Sequence, residues 1–537
     1  MTVIAESTHP GIPSAAMARA RNRWGWGFED AAIATEDARA AAPGVIAMLG
    51  FGSEEVEEPA AALDLPAPRV AVPPALAAIC STDERDRASH SLGKSYADTI
   101  RGLRARYLHV VDLVARPREE AEVEAVLAWA AGANVAVIPY GGGTSVVGGV
   151  EPRVPGHVDG ALSLDLGALD RVLEVDDVSR AARIGAGASG PRLEEQLGGH
   201  GLTMRFYPQS FELSTLGGWI ATRAGGHFAT GPTHIDDLVE SVRAITPSGA
   251  WASRRLPGSG AGPSPDRLLL GSEGILGVIT EAWVRVQPRP SHRAGRTVRF
   301  ASFAAGAEGV RAVVQAGLRP ANCRLLDALE AQQAGSRDGE RAVLVLGFES
   351  TDHDVEHELA RAIALCRAHG GEPDDPAGAG RDGAGAWREA FLRMPYLRDM
   401  LVRLGILTDT FETAITWERL PAFHEAVVGA TRAALGEPCR VSCRFTHVYP
   451  DGPAPYFTVL APARRGDELE QWLEMKSAAS GAILAAGGTI THHHAVGRDH
   501  RRWYDTQRPE PFAAALRAAK AAVDPKAILN PGVLLDP

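Results

Sequence analysis

Cysteine is scarce, five residues among 537, and an odd set in so long a chain does not make a disulfide framework. Cys439 and Cys443 form a lone C-x3-C pair, weak support for a metal site, and free thiols suit a reducing compartment, so a cytoplasmic location is expected. Basic charge is also short. Lys and Arg number 55 against 66 Asp and Glu, a net charge of -11, which argues against the positive field that a nucleic-acid partner requires. No uninterrupted apolar run reaches the ~18 residues of a membrane span, and the opening MTVIAESTHPGIPSAAMARARNRW lacks an apolar core of signal-peptide length. A soluble chain is expected, with peripheral contact to a membrane left open. The final LLDP is not a peroxisomal tripeptide, and no internal repeat is present. With 45% hydrophobic and 23% charged residues the chain can bury a sizeable core, and its length suits roughly two to four domains.

What is present begins, in folding terms, near residue 106. YLHVVDLVARP reads as a strand, REEAEVEAVLAWAAGA as an amphipathic helix after Pro117, and NVAVIPYGGG as a strand running into a glycine loop. Strands follow at ALSLDL, RVLEVD and AARIGAG, a helix at PRLEEQLGGHG, a glycine-rich helix start at STLGGWIATRAGG, then LVESVRAITPSGAW and GVITEAWVRVQP. Residues 105–290 therefore read as one α+β unit. A second domain is expected from residue 291, where RTVRFASF, NCRLLDA and RAVLVLGFES alternate with helical AAGAEGVRAVVQAG and VEHELARAIALCRAHG. EPDDPAGAGRDGAGA reads as a mobile loop, and residues 1–104 as a helical cover without its own core.

Three glycine-bearing stretches suggest a bound anion. PYGGGTSVVGG places Gly141, Gly142, Gly143, Gly148 and Gly149 straight after a strand, so that several N–H groups can turn into one concavity and cradle a diphosphate without a lysine. There is no Gly-x-x-x-x-Gly-Lys and no Gly-x-Gly-x-x-Gly opening a helix; a plain tight turn is the competing reading of this loop alone. PQSFELSTLGGWIATRAGG adds hydroxyls at Ser210, Ser214, Thr215 and Thr222 around Gly217 and Gly218, and GSEGILGVIT adds Gly274 and Gly277, small residues that let a flat ring approach the backbone.

In this order the three stretches resemble the FAD-binding domain of the vanillyl-alcohol oxidase / p-cresol methylhydroxylase superfamily. The resemblance implies an α+β fold: a p-cresol methylhydroxylase (PCMH)-type FAD-binding domain of two α/β subdomains over 105–290, and a cap domain over 291–500 with a large antiparallel sheet flanked by helices. A C-terminal segment, 501–537, would pack back on the FAD domain. It also implies a cofactor site from Pro139, Tyr140, Gly141, Gly142, Gly143, Thr144 and Ser145, from Pro208, Gln209, Ser210, Ser214, Thr215 and Gly218, from Thr222, Ala224 and Gly225, and from Glu273, Gly274, Gly277, Val278 and Ile279. The first loop carries no histidine for covalent attachment, so non-covalent FAD is implied.

THHHAVGR, residues 491–498, sets three imidazoles side by side far from either terminus, which excludes a tag. If the tract is extended, His492 and His494 share one face and His493 takes the other. Zinc binding and a purely structural histidine are the competing readings, and no metal is expected. GGTITHHHAVG and THVYPDGPAPYF are similar to the matching segments of the alkyldihydroxyacetonephosphate synthases, as are RNRWGWGFED, PYLRDM, DTFETAITWERL and VDPKAILNPGVLL. That resemblance implies a redox-neutral exchange of the acyl chain of acyl-dihydroxyacetone phosphate for a fatty alcohol at flavin N5, in ether-lipid synthesis. Tyr456 would be the acid/base, and since a phenol titrates near pH ~10 unaided, His492, His493 and His494 would stabilise its phenolate. Arg398 would bind the phosphate, Arg324 would lie near the flavin, and a homodimer is implied. The alternatives are an FAD-dependent 2-hydroxyacid or alcohol dehydrogenase, and a flavin- or metal-binding protein without turnover. Departures from the pattern are Ala495 after the histidines and the loss of an insertion after CRLLDAL, both of which bear on substrate identity.

Overall fold

The computed structural model describes residues 19–333, 339–375 and 383–536. Two sheets carry the glycine loops. One has four strands in the order Cys80–Ser81, Leu113–Ala115, Gly160–Asp165, Val135–Tyr140, the last three parallel. Its crossover helix, Glu120–Ala133, buries Val123, Val126, Leu127 and Ala130, a stripe at helical spacing, and stops at Asn134 in the left-handed conformation. The other is an antiparallel five-stranded sheet in the order Val172–Asp176, Ala181–Gly185, Val278–Arg285, Val239–Thr246, Gly249–Ala252.

A seven-stranded antiparallel sheet forms the cap, in the order Glu372–Pro373, His292–Phe300, Ala342–Ser350, Asn322–Leu326, Arg440–Val448, Pro453–Pro462, Ile406–Glu412. Its helices Phe303–Gln315, Glu356–Ala368, Leu420–Leu435 and Glu468–Ala485 bury Val310, Leu359, Phe423 and Met475 in one core with Phe300, Leu344, Phe445 and Phe457. The fold is thus the α+β arrangement expected, a PCMH-type FAD-binding domain with a large antiparallel cap sheet.

Three details differ from the sequence reading. YLHVVDLVARP forms strand only at Leu113–Ala115, because the N–H of Val111 donates to Ser91 Oγ and its carbonyl accepts from Arg87 Nε, so local side chains displace the ladder. Within EPDDPAGAGRDGAGA, Glu372–Pro373 is a sheet edge and the helix Gly383–Arg403 begins inside the stretch; the loop expected at 376–382 lies outside the described residues. Residues 1–18 of the expected cover lie outside them too. The described part of that cover divides: Ala38, Ala42 and Leu49 pack against Leu404, Ile406 and Leu460 of the cap, whereas Leu76 and Ile79 pack on the four-stranded sheet and Cys80–Ser81 joins it, so the first sheet begins upstream of residue 105.

The chain's end returns to the FAD domain. Val137 donates to the Ile528 carbonyl and accepts from the Asn530 N–H, adding a short parallel bridge beside the first glycine loop. Among the described residues no helix is long and apolar enough to cross a membrane.

Candidate active site

The first glycine loop is packed too closely to be an ordinary turn. A Cβ on Gly141 would stand 2.2 Å from Thr215 Oγ1, and one on Gly142 would stand 2.3 Å from the Leu213 carbonyl, so the first loop is seated on the second. Arg21 turns the loop's carbonyls outward, Nη1 donating to Gly142 O at 2.7 Å and Nη2 to Gly141 O at 3.3 Å. None of the main-chain N–H groups from Gly141 to Ser145 donates to another described residue, although Gly142 and Gly143 are buried. Buried amides are nearly always paired, so a row of unpaired ones in a glycine cradle fits the diphosphate of FAD.

The other expected cofactor residues divide into those that shape the cradle and those that fill the core. Tyr140 lies under the loop with its hydroxyl on the Ser89 carbonyl, and Ser145 Oγ accepts from the Gly149 N–H. Ser210 Oγ donates to Ser214 Oγ, which also accepts from Trp219 Nε1; the Thr222 hydroxyl donates back to the Gly218 carbonyl. Val278 and Ile279 have side chains in the core, and Gly274 packs on Pro139. Glu273 reaches across to the other domain, where its carboxylate accepts from the N–H groups of Val496 and Gly497, at 2.9 and 2.8 Å, and docks the segment after the histidines onto the FAD domain. Burial pushes that carboxyl up to about 7.

From the cap side the same segment is held by Glu412, the last residue of its strand. Its buried carboxylate accepts from Thr491 Oγ1 at 2.6 Å and from the N–H groups of His492, His493 and His494 at 2.7, 3.2 and 2.9 Å. The tract therefore wraps around one carboxylate instead of running extended, and the expected alternation fails. His493 and His494 both face Tyr456, with ring centroids 6.1 and 5.5 Å away. His492 faces the other way, its Nε2 2.8 Å from the Tyr449 hydroxyl and its carbonyl 2.9 Å from His234 Nε2. Gly225 lies against His493 and His447; a Cβ there would come within 3.1 Å of both.

Ring nitrogens of His447, His492 and His493 lie within 4.8 Å of one another, a spacing that would suit a metal. Each ring is already hydrogen bonded. His447 Nε2 reaches the Gly226 carbonyl at 2.9 Å, so Nδ1 accepts from Thr446, and His492 Nδ1 meets His493 Nδ1 at 3.0 Å. Burial drives these imidazoles toward the neutral form, His493 down to about 3 despite Glu412. Neutral, mutually bonded rings pass protons; they do not supply a fixed positive charge.

Of the two ways in which the histidines can support a Tyr456 phenolate, as a cation or through a hydrogen bond, burial favours the hydrogen bond. The fixed cation is Arg444, whose guanidinium carbon lies 4.1 Å from the centroid of the Tyr456 ring. Burial raises the Tyr456 phenol, and Arg444 works against that rise. Of the two arginines singled out from sequence, Arg324 is buried in this neighbourhood, donating to the His227 carbonyl, and burial followed by Arg444 lowers it to about 9. Arg398 belongs to a separate group beside the first glycine loop: it donates to the Lys94 carbonyl and Thr99 Oγ1, while the Lys94 N–H bonds Ser145 O. Burial brings the Lys94 ammonium down to about 8. Glu412, Arg444 and Lys94 were not found by sequence reasoning, since nothing in FETA, CRFT or LGKS distinguishes a buried charge from an exposed one. An open cleft of about 1070 Å3 between the 253–267 segment and the cap reaches Tyr449, one hydrogen bond from His492.

A model of the FAD binding domain matches residues 111–253, and a model of the C-terminal domain of FAD linked oxidases matches 289–534. The chain thus matches both an FAD-binding and an FAD-linked-oxidase C-terminal domain. It is an FAD-dependent enzyme, and it resembles the alkyldihydroxyacetonephosphate synthases: 29% identity to that of Dictyostelium discoideum and 29% to that of Trypanosoma brucei brucei, each covering 84% of this chain and 78% of the relative. A solved alkyldihydroxyacetonephosphate synthase shares its fold, with a TM-score of 0.77 at 24% identity over 95% of this chain and 98% of that one.

Proposed function

We propose that this flavoenzyme exchanges the acyl chain of acyl-dihydroxyacetone phosphate for a long-chain alcohol, forming an ether bond. The observation that carries the reading is the arrangement of Tyr456 on the cap against His493 and His494, which lead directly into the segment that Glu273 pins to the FAD domain. Non-covalent FAD supplies the ring chemistry for a substitution that begins and ends with oxidised cofactor. The residues supply the proton handling. Tyr456 Oη takes a proton from the carbon that bears the acyloxy group and returns it after the fatty acid has left and the alcohol oxygen has bonded. His493 and His494, held neutral by burial, carry the proton shed by the alcohol, and the His492–Tyr449 bond links them to the open cleft. Arg398, half-buried beside the first glycine loop, is the candidate phosphate fork, and Arg324, fully buried, is the arginine expected near the flavin. Kinship also suggests a homodimer, which sedimentation tests; the free cysteines suit a reducing cytoplasm, and vesicle flotation tests for peripheral membrane contact.

The deciding experiment is anaerobic. Supplied with acyl-dihydroxyacetone phosphate and a long-chain alcohol, the enzyme should release fatty acid and form the ether, and Tyr456→Phe and His493→Ala should abolish the exchange while keeping the yellow cofactor. Product that strictly required dioxygen or an electron acceptor would refute the reading and favour a dehydrogenase.

A further inference from the structure

Tyr456 belongs to a row of polar residues that crosses three cap strands. In the antiparallel register Arg444 stands directly opposite Tyr456 on one side and Glu412 directly opposite on the other. Directly paired residues project from the same face, so a cation, a phenol and a carboxylate lie side by side on the buried face that meets the histidines. Glu330, from the helix Ala328–Gln333, closes on Arg444 from beyond the row: the two form a buried ion pair, and the second Glu330 oxygen accepts from Ser442 Oγ at 2.5 Å.

We propose that Arg444 is a positioning residue that supplies the counter-charge for a Tyr456 phenolate, and that Glu330 sets how much of that charge the phenol receives. The inference rests on Tyr456 acting as the acid/base. Both members of the pair are fully buried, so their interaction is little screened, and Arg444 keeps an Nε–H with no acceptor among the described residues. A guanidinium with one committed edge and one open face is suited to a second, intermittent anion. The phenol's other charged and titratable neighbours are Glu412, which like Glu330 opposes its ionisation, and His493 and His494, which burial keeps neutral; Thr410 offers a hydrogen bond. Arg444 is thus the one cation against this ring among the described residues.

The test uses two substitutions with opposite expected signs. In Arg444→Gln the phenol loses its counter-charge, its pKa rises by about 1–3 units, and kcat on the rising limb of the pH profile falls roughly 10- to 1000-fold at fixed pH with KM unchanged. In Glu330→Gln the whole guanidinium charge is available to the phenol, the limb moves to lower pH and kcat at fixed pH rises. Arg444→Lys restores most of the loss. Tyrosinate absorbance of the FAD-loaded protein, taken as a difference against Tyr456→Phe, should appear at lower pH in Glu330→Gln than in the natural chain, a readout that needs no turnover. Shifts of the same sign in both variants, or none in either, overturn the proposal. Tyr456→Phe separates it from the parent reading: full exchange in that variant removes Tyr456 as the acid/base, whereas loss of exchange with unmoved limbs in the other two removes only the role of Arg444. Retained flavin absorbance and an unchanged melting curve identify the variants that have folded.

Discussion

Replacing Glu412 by Gln tests whether one carboxylate builds the histidine cluster. The change keeps the shape of the side chain but leaves a single acceptor oxygen where two now take four hydrogen bonds. Whichever way the amide turns, its NH2 faces at least one main-chain N–H, of His492 or of His494, in a site where the side chain has no exposed surface. One orphaned buried donor costs about 1–3 kcal/mol, and the surviving bonds lose their charge assistance, so about 2–5 kcal/mol is expected in all. That exceeds what two neighbouring side-chain contacts would restore, so the tract should loosen and Tyr456 should lose its two ring partners. Calorimetric melting of the FAD-loaded protein should fall by several degrees, and exchange should drop by far more than flavin content. The pH dependence has a definite sign. Burial alone would raise the Glu412 carboxyl, but the three histidine residues, whose main-chain N–H groups all donate to it, and the Thr491 hydroxyl hold it well below 4.5. Its contribution is therefore complete above the unfolded pKa and lost as pH falls toward the folded value, so the gap between the natural chain and the Gln variant should narrow in acid. Equal melting at neutral pH together with undiminished exchange would refute the reasoning.

Gly142→Ala should abolish FAD retention, because its Cβ meets main-chain atoms of Leu213 that cannot turn aside; flavin absorbance after gel filtration reads the outcome. Gly225→Ala should keep the cofactor yet lower exchange, since the new methyl presses on His493 and His447 at distances slightly shorter than ordinary contact. Glu273, raised to about 7 by burial, predicts the opposite pH slope to Glu412: stability is greatest below its unfolded value near 4.5 and declines as pH rises through 7, and Glu273→Gln should flatten that decline in melting experiments.

Repetition and steric need are legible in a linear chain. Glycine triplets after a strand, hydroxyls around a second glycine pair and the run of three histidines could be found in PYGGGTS, STLGGW and THHHAVG because each depends on neighbours in sequence. So could the strands and helices of both domains, from their periodicity. The conformation of the histidine tract could not. Local alternation put His492 and His494 on one face, but Glu412, some 80 positions upstream, gathers all three amides and turns His493 and His494 together toward Tyr456.

Charge was the least legible property. Arg444, Glu330 and Glu412 look like any residues of a chain with 23% charged side chains, and only strand register puts them beside one phenol in a buried face. The sequence by itself determined the elements, the cradle for a diphosphate and the supply of imidazoles, since these follow from backbone freedom and local pattern. Which imidazoles are neutral, which cation faces the phenol and which carboxylate holds the tract were decided by tertiary structure, because a side chain's ionisation depends on water excluded and partners brought by distant parts of the chain.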